Sequence, residues 1–396
     1  MNNHELLVKN VWSVGANDPG RRLFDGLIPL PDGTSYNAYL VKGSEKTALI
    51  DSVDPQYSGK LLENLHAQQV TKLDYIISNH AEQDHSGSIP AVLQRYPEAQ
   101  VVTNAKNRDF LISLLHISED RIQVIHDGER LSLGDATLRF YLTPWVHWPE
   151  TMVTYLEEEK ILFSCDFFGS HLAPEYLTSK DDEATLRAAK RYFAEIMMPF
   201  SPIIAKNLEK LSPLDISMIA PSHGPVFGNP AFVMNAYREW IKPSYRNKVI
   251  LPYVSMHGST EVMVNHLTKE LEEQQQIPVE RFDLTEADIG ELAMALVDAP
   301  TLILATPTVL QGAHPAAAYA AMLVNALRPP LKHIGLIGSF GWGTRMVEQI
   351  TSLLPNSKAD LFDPVLIKGL PRPENLQDLT TLASSIATKH ASIFTN

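Results

Sequence analysis

The chain has 396 residues, of which 44% are hydrophobic and 20% charged, and its formal net charge is −13 at pH 7. A chain of this length exceeds one ordinary hydrophobic core, so we expect two domains. The acidic balance argues against a nucleic acid or an anionic membrane as partner, because both need clustered Lys and Arg. Cys165 is the only cysteine, which excludes a disulfide framework and a Cys-ligated iron module within this polypeptide.

The amino terminus lacks the pattern of an export signal. The segment from Met1 to Glu5 has no basic region followed by an apolar one, so no signal peptide is predicted. No apolar run in the sequence approaches the length of a membrane span. We therefore expect a cytoplasmic protein.

The first hundred residues alternate between strand and helix patterns, which predicts an α/β layer architecture. Two paired strands are followed by a helix, a buried strand and a second helix. These elements are expected at Tyr36–Val41, Thr47–Asp51, Tyr57–Gln69, Asp74–Asn79 and Ile89–Tyr96.

Four potential metal ligands lie within six residues, directly after the third expected strand. They are His80, Glu82, Asp84 and His85. Folds of the α/β class usually place their chemistry at this end of a strand. Imidazoles and carboxylates without a thiolate suit iron, manganese or zinc. The alternative is a polar turn whose Asp and Ser residues cap a helix.

Three more ligand-type residues each follow a strand-like run. They are His147, Asp166 and His223, which come after Leu138–Leu142, Ile161–Cys165 and Ile216–Ala220. Taken singly, each has an ordinary explanation, such as a hydrogen-bonded core histidine, a capping aspartate or a histidine in a Pro/Gly turn. Because strand ends can converge at one edge of a sheet sandwich, the pattern as a whole favours one shared metal site.

The second half of the chain begins after a polar stretch at 240–247, the expected linker. The strand Lys248–Val254 leads into the loop Ser255–Thr260, and a helix is expected to start at Glu261. Hydroxyls, a glycine and backbone N–H groups between a strand and a helix favour a phosphate monoester. The loop lacks the motifs for a nucleoside triphosphate or a dinucleotide. The alternative is an ordinary βα loop with a Ser/Thr cap.

Two further loops follow buried strands in the same way. Thr306–Leu310 follows Thr301–Ala305, and Ser339–Thr344 follows Ile334–Gly338. The three loops resemble the FMN site of flavodoxins, in which the first loop holds the phosphate and the other two hold the isoalloxazine ring. Trp342 is a candidate to flank that ring, and packing at a glycine-rich turn is its alternative role.

The ligand residues of the first half resemble the metallo-β-lactamase superfamily, whose signature is H-x-H-x-D-H followed by distant His, Asp and His ligands. Glu82 occupies the position of the second His, and Trp148-Pro149 follows His147. Both features resemble the flavodiiron proteins (A-type flavoproteins), whose site holds two irons. The resemblance covers nearly the whole chain. It implies a metallo-β-lactamase-like αββα sandwich at 1–246 and a flavodoxin-like doubly wound parallel sheet at 247–396.

The same resemblance implies a role for each candidate residue. His171 and Tyr192 match positions near the irons, where a Tyr hydroxyl can give a proton or a hydrogen bond to bound oxygen; packing is the alternative. Asp25 stands where many relatives have His, and we expect this difference to influence gas preference. One iron is assigned to His80, Glu82 and His147, the other to Asp84, His85 and His223, with Asp166 bridging.

The implied flavin site uses all three loops of the second half. Leu310-Gln311 replaces the usual Asn-Asn, His257 replaces an aromatic residue, and Gly343-Thr344-Arg345 replaces Ser-Gly-Gly, which affects the ring contacts and redox potential. The FMN-contacting residues are expected to be Ser255, Met256, His257, Gly258, Ser259, Thr260, Thr306, Pro307, Thr308, Val309, Leu310, Gln311, Ser339, Phe340, Gly341, Trp342 and Gly343.

The resemblance implies an oxidoreductase that reduces O2 to water, NO to N2O, or both, with electrons relayed through FMN. The stand-alone two-domain form is similar to the oxygen-reducing members. An external electron donor is implied, such as a rubredoxin-like protein, a flavin reductase or a reduced deazaflavin. A head-to-tail homodimer, or a dimer of such dimers, is also implied, in which the flavin of one subunit faces the irons of the other.

Two other functions remain open at this point. One is a zinc-dependent hydrolase of the same fold with an accessory flavodoxin-like domain, in which metal-bound hydroxide attacks an ester or phosphodiester. Glu82 counts against it, because an additional carboxylate suits iron better than zinc. The other is an electron-transfer module whose first half is only a scaffold, and the full set of seven ligand residues counts against that.

Overall fold

The computed structural model describes residues 5–394 of the chain. Its contacts separate two compact units. The N-terminal unit contains the chain up to Phe193 and Phe200–Ile241, and the C-terminal unit contains Ala194–Pro199 and the chain from Lys242 onward. The domain boundary expected at 246/247 stays a prediction.

From residue 5 onward, sixteen strands and seven α-helices build the N-terminal unit. The strands are β1 (Leu6–Val8), β2 (Val11–Ser13), β3 (Ala16–Asp18), β4 (Leu23–Phe24), β5 (Ile28–Pro29), β6 (Thr34–Tyr36), β7 (Tyr39–Lys42), β8 (Thr47–Ile50), β9 (Tyr75–Ile77), β10 (Gln100–Asn104), β11 (Ile122–Ile125), β12 (Arg130–Ser132), β13 (Thr137–Leu142), β14 (Met152–Leu156), β15 (Ile161–Cys165) and β16 (Met218–Pro221). The helices are α1 (Ser58–Ala67), α2 (Gln83–Ser86), α3 (Ile89–Arg95), α4 (Ala105–Leu115), α5 (Glu183–Tyr192), α6 (Ser201–Leu211) and α7 (Pro230–Ile241).

Two sheets pack face to face in this unit. One has seven strands in the order β1-β2-β7-β8-β9-β10-β11, and the other has five in the order β12-β13-β14-β15-β16. Tyr39 and Ile50 of the first sheet share a buried cluster with Phe163 of the second. Leu40 and Leu49, one residue along the same strands, belong to a second cluster that includes residues of α1, α3 and α4. This alternation follows from the two-residue period of a strand and gives the αββα sandwich.

A hydrogen-bonded aspartate and asparagine fix the point where the chain leaves β9. Asp51, at the end of the neighbouring β8, accepts hydrogen bonds from the backbone N–H of Asn79 at 2.8 Å and from its Nδ2 at 2.9 Å. Thr154 of the second sheet donates to Asn79 Oδ1 at 2.7 Å. Asn79 is fully buried, so these bonds tie both sheets together at the residue that precedes the ligand segment.

The C-terminal unit has a parallel sheet between two layers of helix. Its strands are β17 (Val249–Tyr253), β18 (Val279–Asp283), β19 (Thr301–Val309), β20 (Gly312–Ala313), β21 (His333–Phe340), β22 (Asp360–Leu361) and β23 (Val365–Lys368). Its α-helices are α8 (Ser259–Lys269), α9 (Ile289–Leu296), α10 (Pro315–Leu327), α11 (Met346–Ser352) and α12 (Pro373–Phe394).

The strand order of this sheet is β18-β17-β19-β21-β22, and β23 also pairs with β21 in parallel. Counted within the unit this is the order 2-1-3-4-5 of flavodoxin-like folds. Ile303 and Leu302 of β19 belong to separate buried clusters, one that includes α8 and α12 and one that includes α9 and α10. The fold class predicted from the sequence is therefore confirmed for both halves.

Three predicted boundaries in this unit were wrong. Helix α8 begins at Ser259, two residues before the expected Glu261, because Gly258 takes a left-handed backbone (φ +84°) and ends the loop. Strand β19 continues through Thr306–Val309, which we expected to be loop, and pairs with β20. The two-residue turn uses positive φ at Leu310 and Gln311, residues that do not resemble the Asn-Gly or Asp-Gly pairs typical of such hairpins. Strand β21 likewise includes Ser339 and Phe340.

None of the helices within residues 5–394 combines the length and the apolar character needed to cross a bilayer.

A buried histidine joins three parts of the C-terminal unit. His390 of α12 pairs through Nε2 with the hydroxyl of Thr301 at 2.8 Å, and its Nδ1 donates to Asn247 Oδ1 at 2.7 Å. In a neutral ring Nδ1–H donates to Asn247 and Nε2 accepts from the Thr301 hydroxyl, so both bonds form without a charge in this buried place. Burial, followed by the nearby charge of His333, lowers the pKa of His390 from 6.5 to about 4.

We expect the C-terminal unit to lose stability as the pH falls from 6.5 to about 4. In this range the unfolded chain binds a proton at His390 and the folded chain does not, so protonation favours unfolding; above pH 6.5 the effect is absent. Calorimetry of the full chain at several pH values measures it. His390→Gln should flatten the profile, whereas the control His266→Gln should preserve the slope. An unchanged slope in His390→Gln would contradict the assignment.

Candidate metal centre and flavin site

Four loops and one short helix bring the candidate ligands together. His80 and Glu82 lie between β9 and α2, and Asp84 and His85 lie in α2. The remaining three follow strands β13, β15 and β16. They are His147, Asp166 and His223.

The first ligand group is formed by His80, Glu82, His147 and Asp166, whose donor atoms all lie within 4.8 Å of one another. The Nε2 atoms of His80 and His147 are each 3.1 Å from Glu82 Oε2. The same nitrogens are 3.4 Å and 3.3 Å from Asp166 Oδ2. Four donor atoms therefore face one small volume, as a cation site requires.

The second group contains Asp84, His85 and His223. Asp84 Oδ2 lies 3.0 Å from His223 Nε2, and Asp84 Oδ1 lies 3.4 Å from His85 Nε2. Asp166 Oδ1 approaches His85 Nε2 at 2.9 Å and His223 Nε2 at 3.6 Å. His85 thus turns its Nε2 toward the two carboxylates. The carboxyl of Asp166 therefore turns Oδ2 toward the first group and Oδ1 toward the histidines of the second.

The buried polar atoms at this place fit a pair of cations. Both oxygens of Asp84, both oxygens of Asp166 and both ring nitrogens of His85 are buried and make no hydrogen bond within the described residues. Buried carboxylates without a partner are costly, and a metal ion compensates them. Oxygen and imidazole donors in these numbers suit iron better than a soft metal. The thiol of Cys165 forms a third group with His85 and Asp166, which the sequence did not indicate.

The carboxylates dominate the electrostatics of the centre. Burial alone would lower the pKa of His80, but hydrogen bonds with Glu150 and Glu82 outweigh it and raise the pKa to about 10. For His147 burial is outweighed in the same way by Asp166 and Glu82, and its pKa is also raised to about 10. The site therefore attracts positive charge, whether protons or metal ions.

Residues that the sequence analysis missed orient two of the imidazoles. His80 Nδ1 donates to Glu150 Oε1 at 2.6 Å, and His223 Nδ1 donates to the carbonyl oxygen of Ser35 at 2.6 Å. Glu150 could have been found as a carboxylate three residues after His147. The contact through Ser35 uses a backbone carbonyl, which carries no sequence signal.

The two predicted outer residues line the second group. The His171 ring lies 4.8 Å from that of His223 and 4.9 Å from that of Tyr192, and its Nδ1 lies 3.0 Å from the hydroxyl of Thr34. Burial, then the charge of His223, lowers the pKa of His171, so its ring is neutral. Burial and then the carboxylate of Asp166 raise the pKa of Tyr192 well above its ordinary value, which keeps its O–H as a donor.

Asp25 lies in the turn between β4 and β5 with a left-handed backbone (φ +50°). Burial raises the pKa of its carboxyl, and the charges of Glu82 and Asp84 raise it further. Charges in both ligand groups therefore act on the carboxyl of Asp25.

In the C-terminal unit the three candidate loops lie at the carboxyl ends of β17, β19 and β21, which are neighbours in the sheet. The hydroxyl of Thr260 contacts that of Ser339 at 3.1 Å, and the hydroxyl of Thr308 donates to that of Thr344 at 2.9 Å. The first loop is thus linked to the third, and the second to the third. The predicted FMN residues lie in the loop after β17 and the start of α8, in the last residues of β19 and the turn after it, and in the last residues of β21 and the loop after it.

The loop cluster has the features that a flavin requires. Large apolar side chains are held in solvent at its tips, with Trp342 86%, Leu310 93% and Met256 48% exposed. A planar apolar ring bound there would cover them. Beside them, Gly258 directly precedes α8, and the Ser255 hydroxyl accepts from the backbone N–H of Glu261 in its first turn at 3.2 Å. Hydroxyl and backbone N–H groups therefore lie together at a helix start, the kind of place where phosphates bind.

Comparisons with known proteins agree with these observations. A family model described as "ODP family beta lactamase" matches residues 34–224. The rubredoxin-oxygen oxidoreductase of Megalodesulfovibrio gigas is 33% identical over 94% of this chain and 95% of its own length. The type A flavoprotein fprA of Rhodobacter capsulatus is 32% identical over 92% of this chain and 86% of its own length.

Solved structures give the same result. The rubredoxin oxygen:oxidoreductase from Desulfovibrio gigas superposes with a TM-score of 0.94 at 31% identity, covering 99% of this chain and 100% of that one. The flavodiiron protein from Giardia intestinalis has a TM-score of 0.92 at 28% identity, covering 98% of this chain and 97% of that one. The likeness extends over both units and over the metal-ligand segments, and the chain belongs to the flavodiiron protein family.

Proposed function

We propose that this flavodiiron protein reduces O2 to water, NO to N2O, or both, at a non-haem diiron site, with electrons relayed through FMN from an external donor. The observation that carries the proposal is Asp166, whose Oδ2 faces the histidines of the first ligand group and whose Oδ1 faces the histidines of the second. This arrangement suits two metals that act together on one small molecule. Hydrolases also use two-metal sites, so the choice of gas reduction over hydrolysis is supported by the relatives. Its relatives include proteins named nitric oxide reductase and rubredoxin-oxygen oxidoreductase.

The protein residues divide the work at the metal centre. Bound iron would supply a binding position for the gas and the change of oxidation state. The first group would hold one iron and the second group the other, while Asp166 fixes the spacing between them. Anionic ligands such as Glu82 and Asp84 stabilise the more oxidised metal. The residues around these ligands would orient the imidazoles, exclude water from the centre and donate hydrogen bonds to the bound gas.

The wall next to the second group is aromatic and dry. Phe24 is 7% exposed, and its ring lies 4.7 Å from that of His171. Tyr192 is 2% exposed with its ring 5.9 Å from that of His223. In this environment the pKa of Tyr192 is raised, so its hydroxyl keeps its proton and would serve as a hydrogen-bond donor to the gas at the centre. His171 is held in one orientation by Thr34 and remains neutral.

The flavin connects the electron donor to the metals. FMN would bind with its phosphate at the start of α8 and its ring against the exposed side chains of the second and third loops. A donor such as a rubredoxin-like protein, a flavin reductase or a reduced deazaflavin would reduce it from outside. We further propose a head-to-tail homodimer, or a dimer of such dimers, in which electrons cross from the flavin of one subunit to the metals of the other.

The hydrolase alternative is not favoured by the relatives, whose names describe oxygen and nitric oxide chemistry. The scaffold alternative is opposed by the close approach of all seven ligand side chains. Elemental analysis and a visible spectrum of the same purified sample distinguish the redox function from the hydrolase. About two irons and one flavin per chain, the expected stoichiometry, support the redox function. Zinc without flavin supports the hydrolase.

Replacing the shared carboxylate should disable the centre. We expect Asp166→Asn to lower the iron content of the chain and to reduce O2 and NO turnover by more than ~100-fold, because both metals lose an anionic ligand. Iron per chain and turnover with a reduced donor measure the effect. Asp215→Asn, which changes an exposed aspartate paired with Lys160, is the control. Undiminished gas reduction in Asp166→Asn would refute the diiron mechanism.

The head-to-tail arrangement predicts complementation between two inactive variants. Ser259→Glu places a carboxylate at the first residue of α8, which the helix tolerates but a bound phosphate does not. Each variant alone should be inactive: Ser259→Glu through loss of FMN, Asp166→Asn through loss of iron. Dimers formed by co-expression should recover about one quarter of the unaltered activity, from random pairing of two chains. Isolated mixed dimers without activity would show that electrons stay within one chain.

A further inference from the structure

Glu150 is buried beside the metal centre but belongs to neither ligand group. It lies in the segment between β13 and β14, two residues before β14 begins, and is 2% exposed. Its Oε1 accepts hydrogen bonds from His80 Nδ1 at 2.6 Å and from the backbone N–H of Ala81 at 3.1 Å. Two donors of the ligand segment therefore converge on one carboxylate oxygen.

The backbone of Glu150 is also anchored. Asn104 donates from Nδ2 to the carbonyl oxygen of Glu150 at 2.6 Å. The same asparagine caps α4 by accepting from the N–H groups of Lys106 and Asn107 at 3.1 Å and 3.0 Å. The position of the carboxylate is thus set by a helix start that is independent of the ligand segment, so it can serve as a fixed reference for His80.

The contact decides which nitrogen of His80 faces the metal centre. When Nδ1 carries the proton and donates it to Glu150, Nε2 keeps its lone pair and lies 3.1 Å from Glu82 Oε2 and 3.4 Å from Asp166 Oδ2. The opposite tautomer would place an N–H where the metal should be, and no metal could bind to it. The ring of Trp148, 5.0 Å away at 83°, restricts rotation of the imidazole.

Burying the carboxylate of Glu150 costs free energy that some interaction has to offset. The Oε2 of Glu150 has no hydrogen-bond partner within the described residues, so its burial costs free energy that a smaller neutral residue would avoid. A role in holding His80 explains why this cost is tolerated. None of the seven ligand residues supplies this contact.

We infer that Glu150 is a positioning residue for the metal centre, which fixes the tautomer and orientation of His80 and so determines the affinity of the first ligand group for iron. The inference rests on the proposed diiron function. It extends that function to a residue that binds neither iron nor gas. Its effect should be confined to one of the two irons, because His80 belongs to the first group alone.

Two substitutions separate the hydrogen bond from the rest of the side chain. Glu150→Met has a similar length but no acceptor, so His80 loses its fixed tautomer, and the affinity for the first iron should fall about 10- to 100-fold. Glu150→Gln keeps an acceptor oxygen, and the Ala81 N–H makes the amide present that oxygen to His80. It should therefore retain most of the iron. Glu159→Met removes an exposed carboxylate from the turn after β14 and is the control.

The measurements are chelator competition for iron on the full chain and Mössbauer spectra of chains loaded with 57Fe. We expect Glu150→Met to release one iron and keep the signal of the other, with flavin content unchanged. Equal affinity of Glu150→Met and the unaltered chain would overturn the inference, as would a loss of iron in Glu150→Gln as large as in Glu150→Met. If Glu150→Met does not fold, Glu150→Gln still tests the inference. Loss of the first iron in Glu150→Gln, which keeps the acceptor oxygen, would contradict the hydrogen-bond role.

The unaltered chain is measured first, so that the two claims can fail separately. An unaltered chain that binds no iron would overturn the proposed function together with this inference. An unaltered chain with two irons, beside a Glu150→Met chain with the same two at the same affinity, would overturn the inference alone.

Discussion

One carboxylate shared between two sets of imidazoles is the constraint on which the N-terminal unit depends. Asp166 is 1% exposed, and its oxygens approach His147 at 3.3 Å on one side and His85 at 2.9 Å on the other. Such a group is stable only if positive charge is present on both sides. The geometry of the two sheets has to satisfy this condition, since the ligands come from strands of both. The fold therefore brings the ends of β9, β13, β15 and β16 together around Asp166.

Hydrogen bonds around the proposed ligands hold these strand ends in position. Asp51 and Thr154 hold Asn79 from opposite sheets, and His80 follows directly in the chain. On the far side of the centre the backbone of Ser35 orients His223. The ligands are therefore held by groups that are themselves fixed by secondary structure, which lowers the entropy lost when a metal binds.

The sequence predicted much of this arrangement because strand ends carry a local signal. His80, Glu82, Asp84 and His85 follow an apolar run, and each distant ligand follows another, so their convergence could be expected from the α/β pattern. The loops proposed to bind flavin were predicted in the same way. Contacts without such a signal were missed: a backbone carbonyl at Ser35, and a turn at Leu310-Gln311 that has the backbone of an Asn-Gly hairpin without its residues.

The two units place their chemistry at equivalent strand ends but differ in exposure. Five of the seven proposed ligands are buried, among them His80 at 0% and His223 at 1%, and Glu82 and His147 are partly buried, whereas Trp342 and Leu310 are 86% and 93% exposed. A buried set of charges must be organised before the ligand arrives, because its cost of burial is large. An exposed apolar loop cluster has the opposite property, since covering it with a ring releases free energy. The proposed metal centre is therefore organised by the fold itself, whereas the proposed flavin site would be completed by the ring that covers it.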